Sequence, residues 1–439
     1  MELRYQLDDN IDNKENLIYA FQQIVLFAAS AAVLPATAGY TIGLTQPEVA
    51  LTIQRTFVLC GIMTILQMRF GHRFPIQHGP AGLWSGLFIS MGTMMPMLGK
   101  KLDILQTDLE TGMIIGGCVI ILISLSGLLK YISRLFNPII NGIVMILMSL
   151  QVSASMVKGM LGVSADNPEI NINSFIISIV TLVVIVAANY YCKGFIKSIA
   201  VFIGVIAGWI LAAALGETVS GNSTGSMLLV PGLFVWGAPT FDAGVVITCV
   251  IGALVLLSMS FASIQSMSEV VKRDVSDNAL KSSIALHGAA AVFAGMGASV
   301  AFMPYASSTG VVQMTGIASR KPLYWGAAGM IILGVIGPIG VFFSTIPSCV
   351  GSPAILVIFA MIIGQAFNEI SRISLSNREY LVIGLSLLGG IGVMFLPAGV
   401  FNSLPFALSC LCSNGLIIGT VAALLLEHVI LRTRWSNQR

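Results

Sequence analysis

Long apolar runs separated by short polar segments dominate this chain. The apolar stretches are 17–34, 50–68, 79–98, 111–129, 135–157, 172–191, 198–216, 243–267, 282–302, 304–318, 322–346, 348–366, 380–396 and 405–431. Most approach the roughly 20 residues that an α-helix needs to cross a bilayer. The third and tenth are short and interrupted. They contain Gly79-Pro80-Ala81-Gly82 and Pro304-Tyr305-Ala306-Ser307-Ser308-Thr309-Gly310. Irregular backbone at membrane depth is tolerated only where protein or a water-filled cavity surrounds it. The pattern predicts an all-α polytopic membrane protein of about fourteen transmembrane segments, with two short broken helices.

The two halves look alike. Pro138-Ile-Ile-Asn-Gly142 opens the fifth stretch and Pro347-Ser-Cys-Val-Gly351 opens the twelfth. The third and tenth stretches also stand seven apart. An odd offset reverses orientation, so the reading is a 7+7 inverted repeat. Paired broken segments in two halves point to the binding site of a transporter. The plainer alternative is that small residues in these helices serve close packing. A half-helix starting within the membrane presents unsatisfied N–H groups, and the extended residues before it expose both N–H and C=O. A flat heterocycle with alternating C=O and N–H edges would pair with both, and an anion would suit the helix ends.

Composition strengthens this picture. Charged residues make up 9% of the 439 residues and hydrophobic ones 56%, with a mean hydropathy of +0.92. So few charges exclude a cytosolic enzyme, a disordered chain and a nucleic-acid binder. With the N-terminus inside, eighteen of the 22 basic residues fall on the cytoplasmic side. Lys100, Lys101 and Lys158 fall outside, and Arg55 sits near the start of the second span. That asymmetry predicts a cell-membrane protein with both termini cytoplasmic. The polar, mixed-charge N-terminus predicts that the first span is retained rather than cleaved. The seven cysteines mostly lie inside apolar runs without CxxC spacing and read as small apolar residues. Asn222-Ser-Thr224 matches a glycosylation sequon in an outer loop, a tripeptide common by chance.

The 19 acids read as lying in termini, loops or span ends. Four histidines in separate segments offer no metal set, and no nucleophile–base pair is visible, so the chain is not expected to be an enzyme. No cofactor or metal is implied. No GxxxxGK[ST] stretch is present, so ATP-driven pumping would need another subunit.

The tenth stretch reads Ser307-Ser308-Thr309-Gly310, then Gln313, Thr315 and Gly316. It resembles the signature of the nucleobase–ascorbate transporter family, with Ser-Ser standing where that family has Gln/Glu-Asn. Tyr305 matches an aromatic preceding the signature in uracil-type members. Asn137-Pro138 to Gly142, Ile346-Pro347 to Phe359 and Gly364, and Ser413-Asn414-Gly415-Leu416 resemble the fifth, twelfth and last spans. The resemblance covers nearly the whole chain.

The resemblance implies a core built from 1–132 and 243–346 and a gate built from 133–216 and 347–439. The core would slide against the gate like an elevator. A nucleobase such as xanthine, urate or uracil would lie between the third and tenth segments and the eighth span. The partners implied are that base, a coupling cation (H+ or Na+), the bilayer and a second copy in a homodimer. The candidate substrate contacts are Tyr305, Ala306, Ser307, Ser308, Gly310, Gln313, Gly79, Pro80, Ala81, Ser263, Gln265 and Gln23, together with His78, which stands where relatives often carry Gln. Relatives place an acid in the eighth span, whereas this chain has Ser258, Ser260, Ser263 and Gln265 there. Each of these serines either bonds substrate or packs against its own helix. His78 either meets substrate or lies at the cytoplasmic mouth beside His72. His287 reads either as a packed residue or as a coupling site. Gln22 and Gln23 either line the core or touch substrate. An anion transporter or channel of the same architecture is the alternative reading.

Overall fold

A computed structural model describes residues 3–129, 131, 135–163, 169–193, 196–197, 199–217, 232–397, 400–401 and 403–431. The first half runs α1 (Asn13–Thr41), α2 (Gln46–Phe70), β1 (His78–Pro80), α3 (Gly82–Met94), α4 (Leu102–Ser126), α5 (Pro138–Leu161), α6 (Ile172–Tyr191) and α7 (Ala200–Ala214). The second half runs α8 (Ala243–Val271), α9 (Asp277–Met296), β2 (Phe302–Pro304), α10 (Ser307–Thr315), α11 (Lys321–Val335), α12 (Gly337–Ser344), α13 (Ser348–Ile370), α14 (Asn377–Met394), α15 (Phe406–Ser413) and α16 (Gly415–Leu425). Seven of these helices are long and apolar enough to cross a membrane: α2, α4, α5, α6, α8, α9 and α13.

Helix starts follow local chemistry. Orphan N–H groups at a helix N-terminus need acceptors. Asn137 accepts from the Ile140 N–H at 3.0 Å, Asn171 from Ser174 at 3.1 Å and Asp242 from Val245 at 3.0 Å. Thr45 with Glu48, and Ser376 with Glu379, form reciprocal capping boxes on α2 and α14. The stretch expected as one span at 322–346 divides at Ile336, because Pro338 cannot donate to the preceding turn. The last stretch divides at Asn414, whose side chain caps Leu416 and Ile417.

Two sets of helices pack side by side. α4 packs on α8 and α9, and α2 packs on α1, α11 and α12. In the second set α5 packs on α13, α14 and α16, and α6 packs on α7 and α13. Lipid offers no hydrophobic drive between helices, so small residues and close backbone approach do that work. Gly117 and Gly288 show it reciprocally. A Cβ on Gly117 would lie 2.5 Å from the Gly288 carbonyl, and one on Gly288 would lie 2.6 Å from the Gly117 carbonyl. The N-terminal segment lies across the end of α10. Arg4 and Tyr5 N–H groups donate to the Gly316 carbonyl, and Ala318 N–H donates to that of Tyr5.

Two expectations need correction. The fourth helix begins at Leu102, not 111, so Asp108 and Glu110 lie inside it and are buried. Glu369 is also buried but lies in the last turn of α13, a span end as expected. The acids are therefore not confined to termini, loops and span ends. Cys60, Cys249 and Cys349 are buried, but Cys118 is exposed and Cys192 and Cys412 are partly so. The sequon Asn222–Thr224, the Cys410 side chain and the basic residues Lys130, Arg134, Arg432, Arg434 and Arg439 lie outside the described residues.

Candidate functional site

The two interrupted segments meet as an antiparallel pair. The register is His78↔Pro304, Gly79↔Met303 and Pro80↔Phe302. Tyr305 N–H donates to the Gln77 carbonyl at 2.8 Å, and Ala81 N–H to the Ala301 carbonyl at 2.9 Å, extending the pair at its ends. Each strand then enters a short helix, α3 or α10. Pro80 and Pro304 each lack an N–H and crowd the turn before them, which disfavours a continuous helix; α1 and α13 nonetheless run through Pro35 and Pro353, so here the strand pairing with the opposite segment fixes the break.

Side chains alternate across a strand, so Gly79 and His78 face opposite ways. The Tyr305 ring lies over Gly79: an added Cβ there would come 2.4 Å from Tyr305 Oη and 2.5 Å from Cζ. The Tyr305 hydroxyl donates to the Pro80 carbonyl at 3.0 Å. His78 turns the other way and is buried. Its ring stacks on His72 with centroids 5.3 Å apart, and the two Nε2 atoms are 3.0 Å apart. Phe74 N–H donates to His72 Nδ1 at 3.0 Å, so the His72 proton sits on Nε2 and is donated to His78. His287 lies near His78, buried, with no hydrogen-bond partner at Nδ1 among the described residues.

Gln77 is the centre that the sequence reading passed over. Its N–H donates to Ser308 Oγ at 3.0 Å, and its amide reaches the Gln23 carbonyl at 3.2 Å and the Gln23 side-chain oxygen. The available signal was its place just before the His78-Gly79 break. Gln23, Gly79, Pro80, Ala81, Tyr305 and Ser308 are thus brought together through Gln77. Ala306 adjoins them at the start of α10. Ser307, Gln313 and Gln265 are exposed, and a Cβ on Gly310 would meet nothing within 4 Å. Ser263 Oγ is buried and donates to the Met259 carbonyl of its own helix at 3.1 Å, and Ser260 Oγ likewise donates to the Leu256 carbonyl at 2.8 Å. Gln22 is buried.

Two hydroxyls were also missed. Ser85 in α3 and Thr309 in α10 are buried without hydrogen-bond partners among the described residues. Gly82, Ser85 and Gly86 share one face of α3. That face meets the second set of helices: Ile362 lies 3.2 Å from a Cβ position on Gly82, and Met148 3.3 Å from one on Gly86. Polar bonds cross the same seam. Asn141 Nδ2 donates to Ser258 Oγ at 2.6 Å, and Gln151 donates to Ser90. The assembled groups are peptide edges, amides, hydroxyls and one phenol. They both donate and accept, they carry no charge, and they suit binding rather than covalent chemistry.

Apolar helices of membrane length, with two segments interrupted around a buried strand pair, define an integral membrane transporter. The profile of the Permease family (Xan_ur_permease) matches residues 14–399, and the chain belongs to that family. Its relatives are permeases, and it is a transporter rather than an enzyme. YwdJ of Bacillus subtilis (strain 168), a candidate purine permease by its name, is 29% identical over 418 residues, covering 92% of this chain and 93% of that protein. The xanthine permease of the same organism is 26% identical over 417 residues, covering 94% and 93%. Among solved structures, the transmembrane domain of the cyanobacterial bicarbonate transporter BicA superposes with a TM-score of 0.62 at 15% identity, covering 87% of this chain and 98% of that one.

Proposed function

We propose that this permease carries a purine or pyrimidine base, with xanthine the first candidate and urate and uracil next. The observation that carries the reading is the β1–β2 pair edged by Gln77, Gln23, Tyr305 and Ser308. Xanthine and uracil are flat and largely neutral at pH 7, and their rims alternate donors and acceptors. This site is neutral and offers both, and Tyr305 supplies an aromatic ring beside the strand edge. Names of relatives, a purine and a xanthine permease, support the same class.

The transport reading extends to the whole chain. Fourteen spans in a 7+7 inverted repeat form a core (1–132 and 243–346) and a gate (133–216 and 347–439). The core slides against the gate across the α3 seam, as an elevator, and H+ or Na+ drives import. The protein lies in the cell membrane with both termini cytoplasmic, as a homodimer. The antiparallel meeting of the two broken segments supports opposed halves, and the small residues of α3 support a sliding seam.

A second reading, anion transport, has one observation in its favour. The N-termini of α3 and α10 follow directly on the strand pair and carry partial positive charge. Uptake of labelled xanthine, urate, uracil and sulfate into vesicles holding the purified protein separates the two. Saturable xanthine uptake, competed by unlabelled bases, is the expected result. Sulfate uptake without any base uptake overturns the nucleobase reading.

A further inference from the structure

The strand-pair site contains no carboxylate, but α4 carries one in its interior. Glu110 lies about 12 Å along that helix from Leu102, at 1.5 Å per residue. It is fully buried, and among the described residues no side chain donates to either carboxylate oxygen, the Trp236 backbone being the one hydrogen-bonding group turned toward it. The Arg55 guanidinium acts on it electrostatically from α2 without closing an ion pair. Burying an ionised carboxylate with a single backbone hydrogen bond and no ion pair is far costlier than burying its protonated form. The site is therefore built to exchange a proton rather than to hold a permanent charge.

Arg55 connects Glu110 to the strand pair. It lies about 13 Å along α2 from Gln46 and is itself buried. Its Nη1 donates to the carbonyls of Gly297 at 3.0 Å and Ala298 at 3.3 Å. Its neighbour Thr56 meets Ser299 at 2.8 Å. These residues form the turn from α9 into β2. Ala298 holds φ at +48°, a conformation that a non-glycine residue keeps only where its surroundings enforce it.

The other charged and titratable groups are few. Asp108, one half-turn earlier on α4, pairs with Lys100, which also holds Asp242 at the start of α8 at 3.1 Å. α8 brings Cys249 against Gly112, α9 brings the Gly295 backbone against the Glu110 carbonyl, and Glu48 acts on Arg55 from within α2.

We propose that Glu110 is the proton-binding group of this transporter and that Arg55 relays its charge state to the turn entering β2. This rests on the proton-coupled form of the function proposed above. The proton arrives from the side of Lys100, Asp108 and Asp242 and neutralises the carboxylate. Arg55, without its counter-charge, then grips the Gly297 and Ala298 carbonyls more firmly and fixes β2 against β1. When the proton leaves, the carboxylate draws the guanidinium back and loosens the turn.

The test uses the full-length protein in lipid vesicles. Infrared spectroscopy without substrate should show a protonated carboxyl band at neutral pH that Glu110→Gln removes. A pH gradient of one unit, acid outside, sustains up to about tenfold xanthine accumulation per proton. In E110Q the accumulation ratio should fall to about one while xanthine–xanthine counterflow continues. Proton-driven accumulation by E110Q at the wild-type level, or a band unchanged by the substitution, overturns the proposal. Wild-type accumulation driven by Na+ alone overturns it too, yet leaves the nucleobase reading standing. Absence of wild-type counterflow with xanthine, urate and uracil alike sinks the nucleobase reading, and the infrared band then decides Glu110 by itself. Should E110Q not fold, Glu110→Asp must displace the band, and an unmoved band counts against the proposal.

Discussion

Gly79→Ala tests the geometry of the strand pair most directly. The new methyl would sit 2.4 Å from Tyr305 Oη, 2.5 Å from Cζ and 2.7 Å from Cε2, so the ring has to leave. Overpacking of this kind costs about 1–3 kcal/mol. Displacing the ring also breaks the Tyr305–Pro80 hydrogen bond, which contributes about 0.5–1.5 kcal/mol. The total is about 1.5–4.5 kcal/mol, or roughly a 10- to 1,600-fold loss if transport needs the ring in place. The assay is a double-mutant cycle read by thermal unfolding of the purified protein, alongside xanthine uptake. On the Tyr305→Ala background the clash is absent, so G79A should add less than about 0.5 kcal/mol. Gly310→Ala supplies the contrast, because its Cβ position is open and no loss of stability is expected. Equal destabilisation by G79A with and without the Tyr305 ring would refute the packing argument.

Further outcomes follow from the same structure. Lys100→Met removes the cation shared by Asp108 and Asp242, both on membrane helices or their caps. Breaking such a pair costs about 3–5 kcal/mol when a charge is left buried, and the variant should melt well below wild type; adding Asp108→Asn should restore part of the loss. Gly288→Leu places a side chain against the Gly117 carbonyl and should separate α4 from α9, lowering the yield of folded protein, whereas Gly392→Leu on α14, with open space around it, should not. Gln77→Ala removes the amide that holds Gln23 and should weaken xanthine uptake with little change in melting, since the backbone bonds to Ser308 and Tyr305 remain.

Sequence alone determined where the chain is apolar, where helices cannot continue and which segments are special. Those features are local. Proline has no N–H wherever it sits, so the breaks at Pro80 and Pro304 were legible, as were the helix starts at Asn137 and near Pro347. The position of Gln23, Tyr305 and Ser308 near one another was legible only as a resemblance. Tertiary structure decided the rest. A strand of three residues carries no periodicity, so nothing in one dimension shows that His78 turns toward His72 while Gly79 meets Tyr305. The buried acids were misread because an apolar-run boundary cannot locate a helix end: α4 starts nine residues before its hydropathy suggests, and Glu110 lies inside it opposite Arg55 from a helix fifty-five residues away. Burial and charge partnership belong to pairs of distant segments, and only their packing fixes which polar groups are left without a partner.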